Sequence, residues 1–368
     1  MSQRAWKYAA TACRLILGIV FILSGFVKAV DPWGTALKID EYLVLYGFSG
    51  LNSWSMGFAI WMCGAELMMG CMLFFKVRVR LISIFSVLTL SFFTILTFLS
   101  ATWLPVEDCG CFGDALKLSP WATFAKNLVL LPMAWVVWYR YRADRIFAFR
   151  PIEIVLTVIF FLFSMGLGTY CVRHLPLIDF LPYRIGVDLR NERLADDRTD
   201  AAGETILICR NRHTGEERRF RLEEPDWQDE SQWEWVETLT TGDDAPIRAD
   251  IGEFALRDAS GDVTEEVLAE EGTLHLLCVT APGRLPERCE KRMAALVKRA
   301  AAEGAAVVCV TPDTLPEEGS VQFGDAAPVR CCNIDATTMK TLLRARNGVV
   351  TLHDGVIADK RNCRDISR

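Results

Sequence analysis

Residues 11–30, TACRLILGIVFILSGFVKAV, form an apolar stretch that is long enough to cross a membrane. A bilayer core of roughly 30 Å requires on the order of 20 mostly apolar residues in helical form. Four more such stretches follow, at about 54–75, 79–100, 121–139 and 151–171. Each of the five stretches is bounded by charged residues or by proline. We therefore predict about five membrane-spanning helices in the first half of the chain.

The first stretch begins like a secretory signal peptide, because Arg4 and Lys7 precede the apolar run. Signal peptides end at a cleavage site with small residues of the A-x-A type. No such site follows here, and Lys28 and the Asp31-Pro32 pair close the stretch. We therefore predict that it stays in the mature protein as a membrane span.

Composition divides the chain into two parts of opposite charge. The 368 residues are 51% apolar, with a mean hydropathy of +0.22, which is high for a soluble chain. Residues 1–171 carry nine acidic and fourteen basic side chains, whereas residues 172–368 carry thirty-seven acidic and twenty-six basic ones. A half with a net charge of −11 would repel phosphate backbones, so no nucleic-acid partner is expected. The thirteen cysteines fit either a redox protein or an oxidising compartment.

Basic residues near the span ends predict the orientation, because Lys and Arg resist translocation. Nine of them lie at the N-terminus and in the links after the second and fourth spans: Arg4, Lys7, Lys76, Arg78, Arg80, Arg140, Arg142, Arg145 and Arg150. The loops 31–53 and 101–120 carry only Lys38 and Lys117. We therefore predict a cytoplasmic N-terminus, with both loops and residues 172–368 on the outer side.

The outer loop between the third and fourth spans contains the segment 107–114, EDCGCFGD. One glycine separates Cys109 from Cys111, a spacing that permits a strained ring disulfide, and strained or exposed disulfides have more oxidising potentials. Gly110 and Gly113 can adopt the backbone angles that such a turn requires. In an oxidising space, this pair predicts thiol/disulfide exchange with the thiols of a partner.

Two other interpretations of this segment stay open. One is a structural turn built from small residues, and the other is a staple to another cysteine. A metal site is not predicted, because two thiolates supply only half of a closed tetrahedral zinc set. In addition, no histidine lies in residues 1–171.

Charged residues inside the spans favour a functional interpretation, since a charge in the bilayer costs about 2.5 kcal/mol or more and is rarely kept idle. Lys28 and Lys126 are expected within a turn or two of the outer surface, at the level of the cysteine loop. Their charge would favour the thiolate form of the loop cysteines, whereas Asp108 and Asp114 would oppose it. Snorkelling to the headgroups is the alternative for each lysine.

Glu66 is expected deeper in the bundle, at roughly 18 Å below the outer face for a rise of 1.5 Å per residue. A carboxyl group near the middle of a membrane is protonated or paired inside the bundle, and a proton or quinone-head role follows from that setting. The small residues Gly64, Ala65 and Gly70 around it indicate the structural alternative, which is close helix packing.

The first four spans resemble the DoxX/MauE family of small helical-bundle membrane proteins. On the first span and just after it, the matching residues are Arg14, Leu15, Leu17, Gly18, Phe21, Ser24, Gly25, Lys28, Asp31 and Pro32. Later in the chain, they are Glu66, the CGCFG string at 109–113, Trp121, Thr123, Lys126 and Asn127. The likeness covers roughly residues 10–140 of a predicted bundle domain, residues 1–147. The whole arrangement is similar to DoxX-like proteins of Bacteroidetes.

The resemblance implies thiol/disulfide exchange in the bacterial envelope. MauE is associated with methylamine utilisation and with disulfide formation in a periplasmic dehydrogenase subunit, and related four-helix bundles include quinone-linked thiol oxidases such as DsbB and vitamin K epoxide reductase. A quinone acceptor, a periplasmic client protein with thiols and a place in the bacterial inner membrane are therefore implied. Those oxidases use CxxC pairs, whereas this chain has CxC, a fifth span and a large tail, so methylamine itself is not predicted.

The predicted site consists of residues with a catalytic role and residues that support the site structurally. The predicted catalytic residues are Cys109, Cys111, Lys126, Lys28 and Glu66. The predicted supporting residues are Asp108, Gly110, Phe112, Gly113, Asp114 and Asp31.

Residues 182–270 are predicted to form a small β-rich segment, because the sequence becomes alternating and rich in turns. The strand candidates are 204–210, 217–222, 233–239 and 252–257. A short polar stretch that ends in glycine, at 211–215, separates the first two. This pattern predicts a β-hairpin.

Residues 271–368 resemble a thioredoxin fold in the order of their predicted elements. These are a strand at 274–280, a helix at 286–303, a strand at 306–311, a helix at 336–345, and strands at 348–352 and 355–360. The fold normally has CxxC at the start of its first helix and a cis-proline before the final hairpin. Here that helix begins near Pro282 and Cys289, and Asn347 stands near the proline position. We therefore predict a degenerate module that binds or positions a partner.

Six cysteines of this outer half have predicted roles. Cys289 and the vicinal pair Cys331-Cys332 are candidates for exchange with a partner thiol. Core packing is expected for Cys278 and Cys309, which lie in the middle of strands, and an idle surface position is expected for Cys363.

Two hypotheses about function follow from the sequence. In the first, the chain is an envelope thiol/disulfide oxidoreductase, or an accessory to one, whose Cys109 and Cys111 pass electrons to a membrane quinone. In the second, it is a non-catalytic anchor or assembly factor whose outer domain docks a partner. The CxC loop favours the first hypothesis, and the missing CxxC favours the second.

Overall fold

The computed structural model gives the chain two compact units. The first comprises Met1–Leu181, Leu343–Gly348 and Arg361–Ser367, and the second comprises most of the rest from Pro182 onward. The residues that the structure describes are 3–103, 110, 113–116, 118–144, 150–191, 205–211, 217–221, 233–240, 254–316 and 318–367.

The first unit is a bundle of helices. They are α1 (Gln3–Val30), α2 (Pro32–Leu45), α3 (Ser55–Phe74), α4 (Val79–Thr102), α5 (Pro120–Tyr141) and α6 (Pro151–Arg173). All except α2 are long and apolar enough to cross a membrane, and a 3-10 turn extends the second span to Gly50–Phe74. The predicted spans are therefore confirmed, with ends that differ by a few residues from those expected.

The segment after α1, predicted to be an outer loop, is mostly helical, and its side of the membrane stays a prediction. Pro32–Leu45 forms helix α2, and Ser49–Trp54 forms a 3-10 helix. Asp31 caps α2, because its Oδ1 accepts a hydrogen bond from Gly34 N at 3.2 Å. A capping Asp followed by Pro at the first position is a helix-start signal. The sequence analysis had taken this same pair only as the end of the first span.

Helices α1 and α3 pack with their backbones in direct contact at Gly25 of α1 and at Gly70 of α3. A Cβ atom added at Gly25 would lie 2.7 Å from Leu67 Cα, and one added at Gly70 would lie 2.5 Å from Ile22 N. Early residues of α1 therefore meet late residues of α3, so the two helices are antiparallel. The close packing expected around Gly70 is confirmed.

Arg14, in the first half of α1, forms hydrogen bonds with the end of α3. Its side chain is buried, and Nη1 donates to the carbonyl oxygens of Leu73 and Phe74, the second at 2.8 Å. The last carbonyl groups of a helix have no partner within the helix and carry partial negative charge. The guanidinium group of Arg14 donates hydrogen bonds to these carbonyl groups and places a positive charge beside their partial negative charge.

Two sheets lie among the described residues from Thr205 onward. The smaller has the order β2-β1-β3, with β1 (Thr205–Asn211), β2 (Glu217–Arg221) and β3 (Trp233–Thr240). Strands β1 and β2 are antiparallel, with Ile208 opposite Arg219, so the predicted hairpin is confirmed. Strand β3 pairs with β1, also antiparallel.

The larger sheet has the order β11-β10-β6-β7-β9-β4-β5, with β8 paired to β9. Its strands are β4 (Arg257–Asp258), β5 (Gly261–Asp262), β6 (Thr273–Val279), β7 (Ala306–Thr311), β8 (Ser320–Val321), β9 (Val329–Asn333), β10 (Asn347–His353) and β11 (Val356–Asn362). The helices are α7 (Thr264–Leu268), α8 (Glu287–Glu303) and α9 (Ala336–Leu343). Strands β6, β7 and β9 run parallel, which requires crossover connections such as α8.

The six elements expected in residues 271–368 are all present. Strand β9 was not predicted, because Arg330 and Asn333 interrupt its short apolar run. The strand expected at 252–257 is reduced to Arg257–Asp258 in the part of that stretch that the structure describes. Assignment to the thioredoxin fold stays a prediction.

Candidate functional site

A buried ion pair joins α1 to α3 inside the bundle. Lys28 Nζ donates to Glu66 Oε2, and the two side chains are only 5% and 10% exposed. The sequence analysis placed Lys28 near the outer surface and Glu66 deeper. The structure brings them to one level, because Gly25 packs on Leu67 and so fixes how far α1 reaches along α3. Each charge compensates the other where water is excluded.

Two described glycines of the segment 107–114, Gly110 and Gly113, lie against side chains of α1 and α2. Gly110 and Gly113 have φ angles of +62° and +55°, as expected for the turn, and Gly113 N donates to Gly110 O at 3.0 Å. A Cβ added at Gly110 would lie 3.2 Å from Lys38 Cγ. One added at Gly113 would lie 3.7 Å from Val27 Cγ1 and 3.8 Å from Lys28 Cγ. Gly110 and Gly113 thus lie next to the aliphatic parts of Lys38 and Lys28, respectively.

Several predicted site residues lie outside the residues that the structure describes. They are Cys109, Cys111, Asp108 and Phe112, together with the side chain of Asp114. Gly110, the residue between the two cysteines in the sequence, is described. A catalytic role for the two thiols stays a prediction.

A cavity of about 320 Å³ lies beneath Gly110. Its wall is formed by side chains of α1 to α5, most of them apolar. Lys28, Glu66 and Lys126 all belong to this wall, so the structure brings these three predicted residues together. A mostly apolar cavity with a few convergent polar groups is typical of small-molecule sites, which span roughly 300–1,000 Å³.

Asn127 is a residue of this wall that the sequence analysis did not assign to the site. It is 2% exposed, and its Nδ2 has no hydrogen-bond partner among the described residues. The available signal was an amide side chain within an apolar helix, next to Lys126. Thr123, one turn earlier on α5, is also buried with an unpaired Oγ1, but it is not part of the wall.

Asp31 has a structural role at the start of α2. Its Oδ2 accepts a hydrogen bond at 2.9 Å from Arg344 Nε, and the two side chains are 9% and 5% exposed. Arg344 belongs to the same compact unit. Because Thr35 and Lys38 of α2 line the cavity, this pair fixes one wall of it. Sequence reasoning missed Arg344 because the two residues are 313 positions apart.

Four cysteines are buried in the larger sheet of the second unit. Cys278 and Cys309 lie in the core, as expected, and Cys331 is the neighbour of Cys309 on the next parallel strand. A thiol hydrogen bond between Cys309 and Cys331 raises the pKa of Cys309 and lowers that of Cys331. Burial raises the pKa of Cys278 to about 12 and that of Cys332 to about 11. Exchange at Cys331 and Cys332 stays a prediction, and it would require the sheet to open.

Cys289 and Cys363 both take part in disulfide bonds. Each is 6% exposed, so the expectation that Cys363 lies idle on the surface is wrong. Cys289 lies in the first turn of α8, and it is not a lone thiol. Exchange of Cys289 with a partner thiol stays a prediction, and that reaction would start from the disulfide form of Cys289.

Five long apolar helices with a buried ion pair and an inner cavity define a multi-pass α-helical membrane protein. Residues 6–140 match the family model of the methylamine utilisation protein MauE, so this part of the membrane bundle is MauE-like. This range holds α2 to α4, nearly all of α1 and α5, and every residue of the cavity wall. No curated protein and no solved structure gives a significant match to the chain.

Proposed function

We propose that this chain is a thiol/disulfide redox protein of the bacterial inner membrane, or an accessory to one. Cys109 and Cys111 exchange electrons with the thiols of a periplasmic client protein and pass them to a quinone. One observation carries the proposal. Gly110, which joins the two cysteines, belongs to the wall of the same membrane cavity as Lys28, Glu66 and Lys126.

The chemistry divides into two exchanges. In the first, two client thiols form a disulfide, and the Cys109–Cys111 disulfide is reduced to two thiols. In the second, the two thiols lose two electrons and two protons and close the ring again, while the quinone gains both and becomes a quinol. Lys126 favours the thiolate that begins each exchange, because positive charge stabilises it, whereas the charge of Lys28 is compensated by Glu66.

The orientation of the chain supports a periplasmic client. Nine basic residues flank the predicted cytoplasmic side, so the cysteine loop and residues 172–368 face the periplasm. Large apolar side chains on the outside of the bundle support lipid as a partner. Examples are Leu88, Val129 and Leu162, which are 60%, 64% and 63% exposed. The acidic outer half argues against nucleic acid as a partner.

Replacing Cys109 with Ser is expected to leave the thiols of a client protein more reduced, because Cys111 alone cannot form the disulfide that accepts two electrons from the client. The measurement is acid trapping of cells, followed by alkylation of free thiols and mass spectrometry of envelope proteins. Cys111→Ser should give the same result. Cys13→Ser is the matched control, since Cys13 lies in α1 and is not in the cavity wall. Envelope proteins equally oxidised in all three variants would contradict the proposal.

A second candidate function is a membrane anchor or assembly factor whose outer domain docks a partner. It is favoured by the helix that starts near Pro282 and Cys289 without a CxxC pair. Under this function, the Cys109→Ser/Cys111→Ser protein keeps its cellular role and deletion of residues 182–368 abolishes it. The opposite pattern would support the redox proposal.

A further inference from the structure

The unpaired amide of Asn127 carries an inference about what the cavity binds. A buried donor without a partner costs about 1–3 kcal/mol, so such groups are rare in folded proteins. Asn127 Nδ2 is one of these donors, and Asn127 stands in the cavity wall. A ligand with a hydrogen-bond acceptor would satisfy it.

The rest of the wall limits the chemistry of that ligand. The charged residues of the wall are Lys28, which is paired with Glu66, Lys38, whose Nζ lies 3.1 Å from Glu41 Oε2, and Lys126. The remaining wall is mostly apolar, so an anionic headgroup would lose its hydration there, which costs more than burying an uncharged acceptor. An uncharged acceptor such as a carbonyl oxygen fits these surroundings better.

The apolar part of the wall can accommodate the hydrocarbon portion of such a ligand. Leu90, Phe93 and Leu96 of α4 line it, as does Leu130, which lies one turn from Asn127 on α5. A ligand with a carbonyl head and an apolar chain therefore matches both parts. Gly110, which separates Cys109 from Cys111 in the sequence, stands in the same wall.

We propose that Asn127 donates a hydrogen bond to a ring carbonyl of a quinone bound in this cavity, with the isoprenoid chain against α4. Asn127 is thus a binding residue for the electron acceptor. This inference rests on the proposed function for the redox role of the quinone. The binding itself can be tested without any turnover.

The test uses the full-length protein in lipid nanodiscs, with Cys109→Ser and Cys111→Ser to prevent turnover. The probe is a naphthoquinone with two isoprene units, and its affinity is measured by quenching of tryptophan fluorescence. Adding N127L should weaken binding about tenfold or more, as expected for the loss of one well-buried hydrogen bond. Thermal stability should stay equal or rise, because an unpaired donor is removed. T123V is the matched control, and it should bind as the parent does.

Three outcomes would overturn the inference. The first is unchanged affinity in N127L. The second is unchanged affinity in N127D, which keeps the side-chain shape without the amide donor and serves if N127L does not fold. The third is displacement of the quinone by a long-chain fatty-acid methyl ester as effectively as by unlabelled quinone, which would identify a lipid carbonyl as the occupant. Asn127-dependent quinone binding without client oxidation in cells would instead refute only the proposed function.

Discussion

Replacing Lys28 with Met is expected to destabilise the membrane bundle by about 3–5 kcal/mol, because it leaves the Glu66 carboxylate buried without its partner. The two side chains are 5% and 10% exposed, so solvent offers little compensation. The measurement is thermal unfolding of the purified protein in detergent micelles. Glu66→Leu should have an effect of similar size, since it leaves the ammonium group without this carboxylate.

The double variant separates charge pairing from packing. Lys28→Met combined with Glu66→Leu removes both charges and keeps apolar groups of similar size, so its stability should return to near that of the parent. Lys126→Met is the control for loss of a positive charge from the same cavity wall. Equal stability of Lys28→Met and the parent, or a double variant as unstable as either single one, would contradict this interpretation.

Gly25→Val is expected to separate α1 from α3 and to cost about 3 kcal/mol or more, at the upper end of the range for overpacked interiors. An added Cβ would lie 2.7 Å from Leu67 Cα, which is backbone and cannot rotate away. The helices must therefore move apart, and the Lys28–Glu66 pair would lengthen with them. Client oxidation should fall together with thermal stability.

Gly166→Ala is the matched control for this experiment. Gly166 lies within α6, and an added Cβ would meet nothing within 4 Å. Replacing a helical glycine with alanine at an open position should be neutral or stabilising by about 0.5–1 kcal/mol. If Gly25→Val were as stable as Gly166→Ala, the close contact of α1 and α3 would not matter for the fold.

Much of the first unit could be predicted, because membrane spans depend on local properties. Twenty apolar residues between charged ends identify a span wherever it packs, and all five spans were found in this way. Helix α2 was missed because the pattern near Asp31 and Pro32 signals both the end of one helix and the start of the next. The hairpin of β1 and β2 was found because its strands and turn are adjacent in the sequence.

The site was predicted only in part, because its geometry depends on how distant elements pack. Lys28, Glu66 and Lys126 were singled out because charge is rare in membrane spans. Their arrangement around one cavity follows from the offset between α1 and α3, which backbone contacts at glycine set and no local pattern reveals. The partner of Asp31 was missed because Arg344 lies near the other end of the chain.

Arg14 has a consequence for the biogenesis of this protein. Helix α1 leaves the ribosome well before Leu73 and Phe74 have been synthesised, and these residues supply the carbonyl groups that Arg14 binds. Until then, its guanidinium group has to remain at the hydrated edge of the bilayer. The contacts of Arg14 can therefore form only after α3 has been synthesised, so the pairing of α1 with α3 is completed after both helices have left the ribosome.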